Sequence, residues 1–258
     1  MIAVAVAGAL GRMGGEVIQA VSAAGDMQVV AGIDIKASGA ERLPFPVSAD
    51  LAALLKRSQA QVLVDFTVAE AAVENALTAL DMGVRPVIGT SGISDSQLEQ
   101  LRKKAEATGT GVFVAPNFAL GAVLMMHFAR IASRYFDSAE IIELHHDQKI
   151  DAPSGTAVKT AQDMVQAHGG PFVSNVPTKE PLPGGRGAEH GGVRIHSLRL
   201  PGLVANQEVI FGAQGQTLIL RHDTTDRTAF MPGVIIALRE VLKLDKLVVG
   251  LDNLLSLG

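Results

Sequence analysis

The first part of the chain alternates short, uninterrupted apolar runs with longer amphipathic stretches. Ile2 to Ala7 carries no polar residue, the pattern of a parallel strand covered on both faces. Beyond it Val17, Ile18 and Val21 recur at helical spacing, and Gln28 to Ile33 reads as a second strand that ends in Asp34. The same periodicities predict strands over Ala60 to Phe66, Pro86 to Thr90 and Gly111 to Ala115, with helices over Glu70 to Met82 and Ser94 to Ala107 between them. Strands and helices in alternation predict an α/β domain with a parallel sheet, wound in the Rossmann manner. After Asn117-Phe118 the alternation stops. A long amphipathic helix, Leu120 to Tyr135, leads into a strand, Ala139 to Leu144, and then a helix, Thr156 to Ala167. Gly169 to Gly192 is rich in Gly and Pro and reads as a long loop. Strand patterns follow over Val193 to Leu200, Gln207 to Gly212 and Thr217 to His222, which predicts an α+β domain with a mostly antiparallel or mixed sheet. Arg227 to Leu242 is again helical and Lys246 to Leu251 strand-like, and this tail is expected to pack back on the first domain. The expected division is a domain over 1–118, completed by 227–258, and a second domain over 119–226.

Composition narrows the classes. With 258 residues, 48% hydrophobic and 19% charged, the chain is an ordinary globular protein long enough for two domains. A net charge of -4 argues against a nucleic-acid binder that works by bulk electrostatics. The absence of cysteine excludes disulfides, thiolate metal sites and cysteine nucleophiles. The apolar start, Met1 to Leu10, lacks a basic leader, and Arg12 and Glu16 interrupt it within a glycine-rich turn, so it reads as a buried strand and not as a secretion signal. No uncharged run approaches the length of a membrane span, and the expected compartment is the cytoplasm.

Two stretches carry candidate chemistry. Gly8-Ala9-Leu10-Gly11-Arg12-Met13-Gly14 follows the first strand at once and opens a helix. Glycine there lets the backbone turn tightly and approach a pyrophosphate, which rests on the helix N-terminus. Asp34, at the end of the second strand, can accept hydrogen bonds from ribose hydroxyls. The spacing is G-x-x-G-x-x-G, shifted from the commoner G-x-G-x-x-G, and a plain structural turn is the alternative. Asp65-Phe66-Thr67, Gly89-Thr90-Ser91 and Ala115-Pro116-Asn117-Phe118 fall at further strand ends, where such a sheet binds ligands, and together they make a wall for a nicotinamide.

The second stretch runs from Glu143 to Ala157, between a strand and a helix start, and gathers two histidines, a lysine, two aspartates and Ser-Gly-Thr. If the strand extends through His146, His145 shares a face with Glu143 and His146 with Leu144, so the adjacent histidines do different jobs. A metal reading from His145, His146, Asp147 and Asp151 has suitable atoms without a ligand spacing, and no metal is expected. Lys149 lies within reach of the His145 pocket. Pro153 sets the helix entry, Ser154 is a natural N-cap, and Gly155 and Thr156 offer unpaired N–H groups. Such a helix start, with His146 and Lys149 nearby, suits a small anion with more than one carboxylate, and histidine is the default proton donor near neutral pH. A capped helix beside solvated charges is the plain structural alternative. The remaining histidines, His127, His168, His190, His196 and His222, are scattered and take no role from spacing.

Glu143 to Ala157 closely resembles the signature E-x-H-H-x-x-K-x-D-A-P-S-G-T-A of the 4-hydroxy-tetrahydrodipicolinate reductase (dihydrodipicolinate reductase) family of the diaminopimelate route to lysine, without a mismatch. Val6 to Gly14 is similar to that family's glycine-rich loop, and His196 to Arg199 and Arg221 to Pro232 also look like family sequence. The resemblance implies hydride transfer from NADPH or NADH to an α,β-unsaturated cyclic imine bearing two carboxylates. It implies that His145 is the general acid/base and that Lys149 donates a proton and helps to hold substrate. It further implies substrate-binding positions at His146, Gly155 and Thr156, with Ser154 close by. The cofactor positions it implies are Gly8, Ala9, Leu10, Gly11, Arg12, Met13, Asp34, Gly89, Thr90, Ser91, Ala115, Pro116, Asn117 and Phe118. By the same resemblance the fold is a Rossmann domain completed by the C-terminal helix, plus a substrate-binding α+β domain whose sheets pack into a homotetramer.

One departure concerns the cofactor. Many family members place a basic residue directly after the ribose-binding acid; here Ile35 stands there and Lys36 follows. Asp34 alone favours NADH, and Lys36 can meet a 2′-phosphate if the loop turns it inward. Dual use of NADH and NADPH is the expectation. Two rivals stand beside this reading: another NAD(P) oxidoreductase acting on an amino acid, such as an aspartate dehydrogenase, which has no need of the HHxxK and SGT array, and a dinucleotide sensor without turnover, which would tolerate loss of His145 and Lys149.

Overall fold

The structure is a computed structural model that describes residues 1–36, 43–175, 177, 179–255 and 257. Its chain divides into two compact units, Met1–Leu120 with Arg227–Gly258, and Gly121–Asp226. In the first unit β1 (Ile2–Ala7), β2 (Met27–Ile33), β3 (Val47–Ser48), β4 (Val62–Asp65), β5 (Arg85–Ile88), β6 (Val112–Val114) and β12 (Leu247–Val249) form one sheet. Their order is β12-β6-β5-β4-β1-β2-β3, and every recorded pair in it is parallel. The apolar runs explain most of the burial: Val4 to Ala7 and Val62 to Val64 are enclosed, as strands covered by helices on both faces must be, while Asp65 at the end of β4 is buried with bonds from Thr67 and Asn75. The chain leaves β1 for β2 on one side and later returns to β4 on the other. That reversal opens a crevice at the carboxyl ends of β1 and β4.

Helices α1 (Arg12–Ala23), α3 (Ala69–Asp81) and α4 (Asp95–Thr108) fall where the 3.6-residue periodicity puts them, and Ser94 with Gln97 closes a capping box at the start of α4. A helix that the pattern reading passed over is α2 (Leu51–Ser58). Asp50 caps it by accepting from the Ala53 N–H at 3.0 Å, and Leu51, Leu54 and Leu55 are buried with Ala5, Ala7, Ile33 and Leu63. Each such leucine contributes about 1.5–3 kcal/mol of burial, which holds an eight-residue helix too short to persist alone. The tail is not one helix: a 3₁₀ turn over Arg227–Phe230 precedes α7 (Met231–Glu240), and another over Val241–Lys243 follows it. β12 then pairs with β6.

The second unit contains α5 (Leu120–Ala132), which enters from the unit boundary, and β7 (Ser138–His145), α6 (Gly155–His168), β8 (Ala188–His190), β9 (Val193–Arg199), β10 (Ala205–Ala213) and β11 (Gln216–Thr224). α5 stops three residues short of Tyr135, where the periodicity alone would carry it. The sheet order is β11-β10-β7-β9-β8, with β7 and β9 parallel and the other pairs antiparallel, so the sheet is mixed. Alternation does the sorting. Ala139, Ile141 and Glu143 of β7 turn to the side where Met125, Ala129, Ala161 and Met164 of α5 and α6 pack on Val193, Ile195, Val209 and Phe211. Glu140, Ile142 and Leu144 face the other way and stay partly exposed. The segment expected as loop, Gly169 to Gly192, contains β8, an edge strand with every residue exposed. Among the described residues no helix is long and apolar enough to cross a membrane.

Candidate active site

The glycine-rich turn is built as a phosphate-binding turn must be. Gly8 has φ +73, a left-handed conformation open to glycine, and its N–H and that of Ala9 donate to the Ile33 carbonyl. A Cβ on Gly14 would stand 2.1 Å from the Gly8 carbonyl oxygen, so only glycine allows α1 to start this close to β1. The first turn of α1 has neither a capping side chain nor an acidic residue, which leaves the N–H groups around Arg12 and Met13 to face an anion. These features fit a pyrophosphate. Ala9 is buried against Gly32, whereas Leu10, Gly11 and Arg12 are exposed.

Asp34 stands beside this turn. Its Oδ2 accepts from the Leu10 N–H and its Oδ1 from the Lys36 N–H, each at 2.9 Å. Each carboxylate oxygen keeps a further lone pair for a ribose hydroxyl. The Ile35 side chain is 91% exposed and Lys36 is exposed. The other predicted positions gather at neighbouring strand ends. The Gly89 N–H donates to the Asp65 carbonyl, Thr90 Oγ1 to the Thr67 carbonyl at 2.8 Å, and the Ala115 N–H to the Ile88 carbonyl. A Cβ on Gly89 would strike the Phe66 ring at 2.1 Å. Ser91 and Pro116 are exposed, and Asn117 Oδ1 accepts from the Ala119 N–H at 2.9 Å. Phe118 turns inward to Phe66 and Phe113, so its backbone is the part left to meet a ligand.

In the second unit the central stretch closes on itself. β7 ends at His145, and Glu143 and His145 do share a face: His145 Nδ1 donates to Glu143 Oε2 at 2.5 Å. His146 lies just past the strand and is exposed. Lys149 Nζ pairs with Asp151 Oδ1 at 2.6 Å. Ser154 is the N-cap of α6, its Oγ accepting from the Ala157 N–H at 3.2 Å. Gly155 and Thr156 form the first turn, which has no acidic residue, and nothing lies within 4 Å of where a Gly155 Cβ would be. The helix is held to the sheet by Gln207, buried opposite Glu143, whose Nε2 donates to Thr160 Oγ1 at 2.9 Å; Thr160 Oγ1 in turn donates to the Thr156 carbonyl. Among the described residues no group of three or more His, Asp or Glu side chains is arranged to hold a metal ion.

Two residues that sequence reading gave no role complete this arrangement. Glu143 is fully buried, and Arg199, opposite His145 in the β7–β9 pair, grips it with Nη2 on Oε1 at 2.8 Å and Nη1 on Oε2 at 3.0 Å. Burial alone would raise the Glu143 carboxyl, but hydrogen bonds from His145, Arg199 and Ser197 outweigh it and hold the group at about 2. For Glu143 the signal is its even spacing with His145 on the strand; Arg199 lies in the family-like segment His196 to Arg199, but nothing in the sequence links it to Glu143. Other histidines have local partners: His196 bonds Glu140 at 2.8 Å and His168 the Gly170 carbonyl at 2.9 Å.

Known proteins carry the same pattern. Residues 2–118 match the family model described as dihydrodipicolinate reductase, N-terminus, and residues 121–255 the model described as dihydrodipicolinate reductase, C-terminus. A 4-hydroxy-tetrahydrodipicolinate reductase of Moorella thermoacetica is 50% identical over 263 residues, spanning 99% of this chain and 98% of that protein. One of Dehalococcoides mccartyi is 47% identical over 262 residues, spanning 99% of each. The fold is similar to that of dipicolinate-bound dihydrodipicolinate reductase from Paenisporosarcina sp. TG-14, with a TM-score of 0.90 at 44% identity over 99% of this chain and 100% of that one. A glycine turn fitted to a dinucleotide, a histidine anchored by the carboxylate that also bonds the N-cap of α6, and relatives that span the chain thus lead to one conclusion: the chain belongs to the dihydrodipicolinate reductase family.

Proposed function

We propose that this chain catalyses the NAD(P)H-dependent reduction of 4-hydroxy-tetrahydrodipicolinate to tetrahydrodipicolinate, in the diaminopimelate route to lysine. The observation that carries the proposal is the pairing of His145 with Glu143. A carboxylate only accepts, so His145 carries its proton on Nδ1 and Nε2 is the nitrogen left for a reacting group. Bound NADH or NADPH supplies the hydride. Loss of the 4-hydroxyl as water leaves the α,β-unsaturated cyclic imine that takes this hydride; His145 and Lys149 manage the proton that joins the ring, and Lys149 also offers its ammonium to a carboxylate. The N–H groups of Gly155 and Thr156 in the first turn of α6, with His146, receive the second carboxylate. An amino-acid dehydrogenase would have no use for this paired anion site, and a sensor no use for an anchored histidine.

The cofactor reading is dual. Asp34 stands ready for a ribose diol, and exposed Lys36, two residues on, supplies a cation for a 2′-phosphate. Comparable kcat/KM with NADH and NADPH is expected, and a bias of more than about a hundredfold to either, some 3 kcal/mol, would refute it. The assembly reading is a homotetramer through the sheet of the second unit, supported by one of its two edge strands, β11, where Leu218 and Ile219 are exposed. Light scattering that returns a monomer would refute that part alone. The compartment in this reading is the cytoplasm.

The decisive experiment generates the substrate in place with a synthase acting on pyruvate and aspartate semialdehyde, and follows loss of reduced-nicotinamide absorbance. Synthase-dependent oxidation blocked by dipicolinate is the expected result. Cofactor binding without oxidation would overturn the reductase reading.

A further inference from the structure

Glu143 has more partners than a structural ion pair needs. Its Oε2 accepts from His145 Nδ1 and Arg199 Nη1, and its Oε1 from Arg199 Nη2 and, at 3.2 Å, from the Ser154 N–H. Arg199 continues the chain of contacts, Nη2 donating to the Asp151 carbonyl at 2.6 Å. One buried carboxylate and its arginine thereby hold the histidine at the end of β7 and both ends of the segment from Asp151 to Ser154, which joins the Lys149 turn to the N-cap of α6.

Stability alone does not account for this pair. Taking two charges out of water carries a desolvation penalty, and a well-packed apolar pair often serves the fold as well or better. The cost is visible here, because Arg199 Nε is buried without a hydrogen-bond partner among the described residues. What apolar residues cannot do is dictate a tautomer. An ionised carboxylate at Nδ1 admits only the Nδ1–H form of His145, and the arginine fork keeps the carboxylate ionised and in the plane that reaches the ring.

We propose that Glu143 and Arg199 are positioning residues for the reduction: together they fix the tautomer and orientation of His145 and clamp the 151–154 segment that places Lys149 relative to the α6 N-terminus. The inference rests on the reductase reading for its kinetic consequence, and on geometry alone for its structural one.

The test is the double variant Glu143→Gln/Arg199→Met, which removes both charges and leaves no buried ion unpaired. It is expected to fold, to bind NADH and NADPH within about twofold of the parent, and to lose kcat by about a hundredfold or more, the scale of a general acid with the wrong tautomer. Arg199→Lys, which keeps the charge without the fork, is expected to fall between the two. In the parent chain with ¹⁵N-labelled histidine, His145, assigned by its disappearance in His145→Gln, should show a protonated Nδ1, and in the double variant a mixture of tautomers. A folded double variant with kcat within about threefold of the parent would overturn the proposal, as would a parent His145 protonated at Nε2 alone. That spectrum needs no turnover, so it decides the matter if the double variant fails to fold. A parent chain that fails to reduce the substrate would instead overturn the reductase reading.

Discussion

Lys149 Nζ lies 2.6 Å from Asp151 Oδ1, so the lysine assigned to proton donation is held by a carboxylate two residues along the same turn. The Lys149 hydrogen bond is the main reason the Asp151 carboxyl sits below its ordinary value. Asp151 is half exposed, and such a pair contributes at most about 1 kcal/mol to stability. Its effect should therefore appear in catalysis. Lys149→Ala and His145→Ala should each keep the fold and lose about a hundredfold or more in kcat. Asp151→Asn should melt within a few degrees of the parent and lose activity by a smaller factor than Lys149→Ala. Initial rates and thermal melts on the three variants check this; wild-type-like rates in both His145→Ala and Lys149→Ala would remove the assigned roles.

Acid should unfold the second unit through Glu143. Its carboxyl, ordinarily at 4.5, is held at about 2 in the folded chain. A group depressed by folding adds stability that is fully present above its unfolded value and is lost as pH falls through the folded one, so the loss spans roughly pH 4.5 down to 2. Glu140 acts in the same direction, because bonds from Arg186 and His196 outweigh the opposing effect of its burial. Urea unfolding at a series of pH values should show this decline, and a flatter curve in Glu143→Gln/Arg199→Met.

Much of this is legible in the sequence, for a physical reason. Buried parallel strands are largely apolar, so β1 is legible at once and β4 through Val62 to Val64, and the run from Glu143 to Thr156 brings many of its partners close along the chain. Arg199 was not legible, because its place opposite His145 depends on a β7–β9 register that α6 and a long loop separate along the sequence. The exposed residues of β8 carry no apolar signature to distinguish an edge strand from loop. For α2 the signal existed, with Asp50 as N-cap ahead of Leu51, Leu54 and Leu55, but eight residues give the periodicity little length to show.

Two adjacent glycines of α1 separate close approach from mere flexibility. An alanine Cβ at Gly14 would lie 2.1 Å from the Gly8 carbonyl oxygen and 2.9 Å from the Ala9 Cα, both backbone atoms that cannot step aside. One at Gly15 would meet nothing within 4 Å. Gly14→Ala should cost about 1–3 kcal/mol by overpacking and weaken NADH and NADPH binding alike, because the turn proposed to face the pyrophosphate must move. Gly15→Ala should instead gain about 0.5–1 kcal/mol from helix propensity. Thermal melts with and without dinucleotide distinguish the two, and equal behaviour would mean that the turn is looser than its contacts imply.

Gly121 and His222 make a similar contact in the second unit, with a titratable ring as the partner. A Cβ on Gly121 would fall 2.4 Å from His222 Cδ2 and 2.9 Å from Nε2. Burial lowers the imidazole below its ordinary 6.5, against the opposing charge of Asp223. The unfolded chain therefore takes up the His222 proton at a higher pH than the folded chain, and stability declines as pH drops below 6.5 toward the folded value. In Gly121→Ala the ring, which is only partly buried, must swing toward water. The variant should lose on the order of 1 kcal/mol near neutral pH, while the His222 imidazole titrates closer to its ordinary value and this part of the pH dependence shrinks. An NMR titration of the histidine ring protons in parent and variant reads both effects; an unmoved His222 titration would show that the helix start yields instead of the ring.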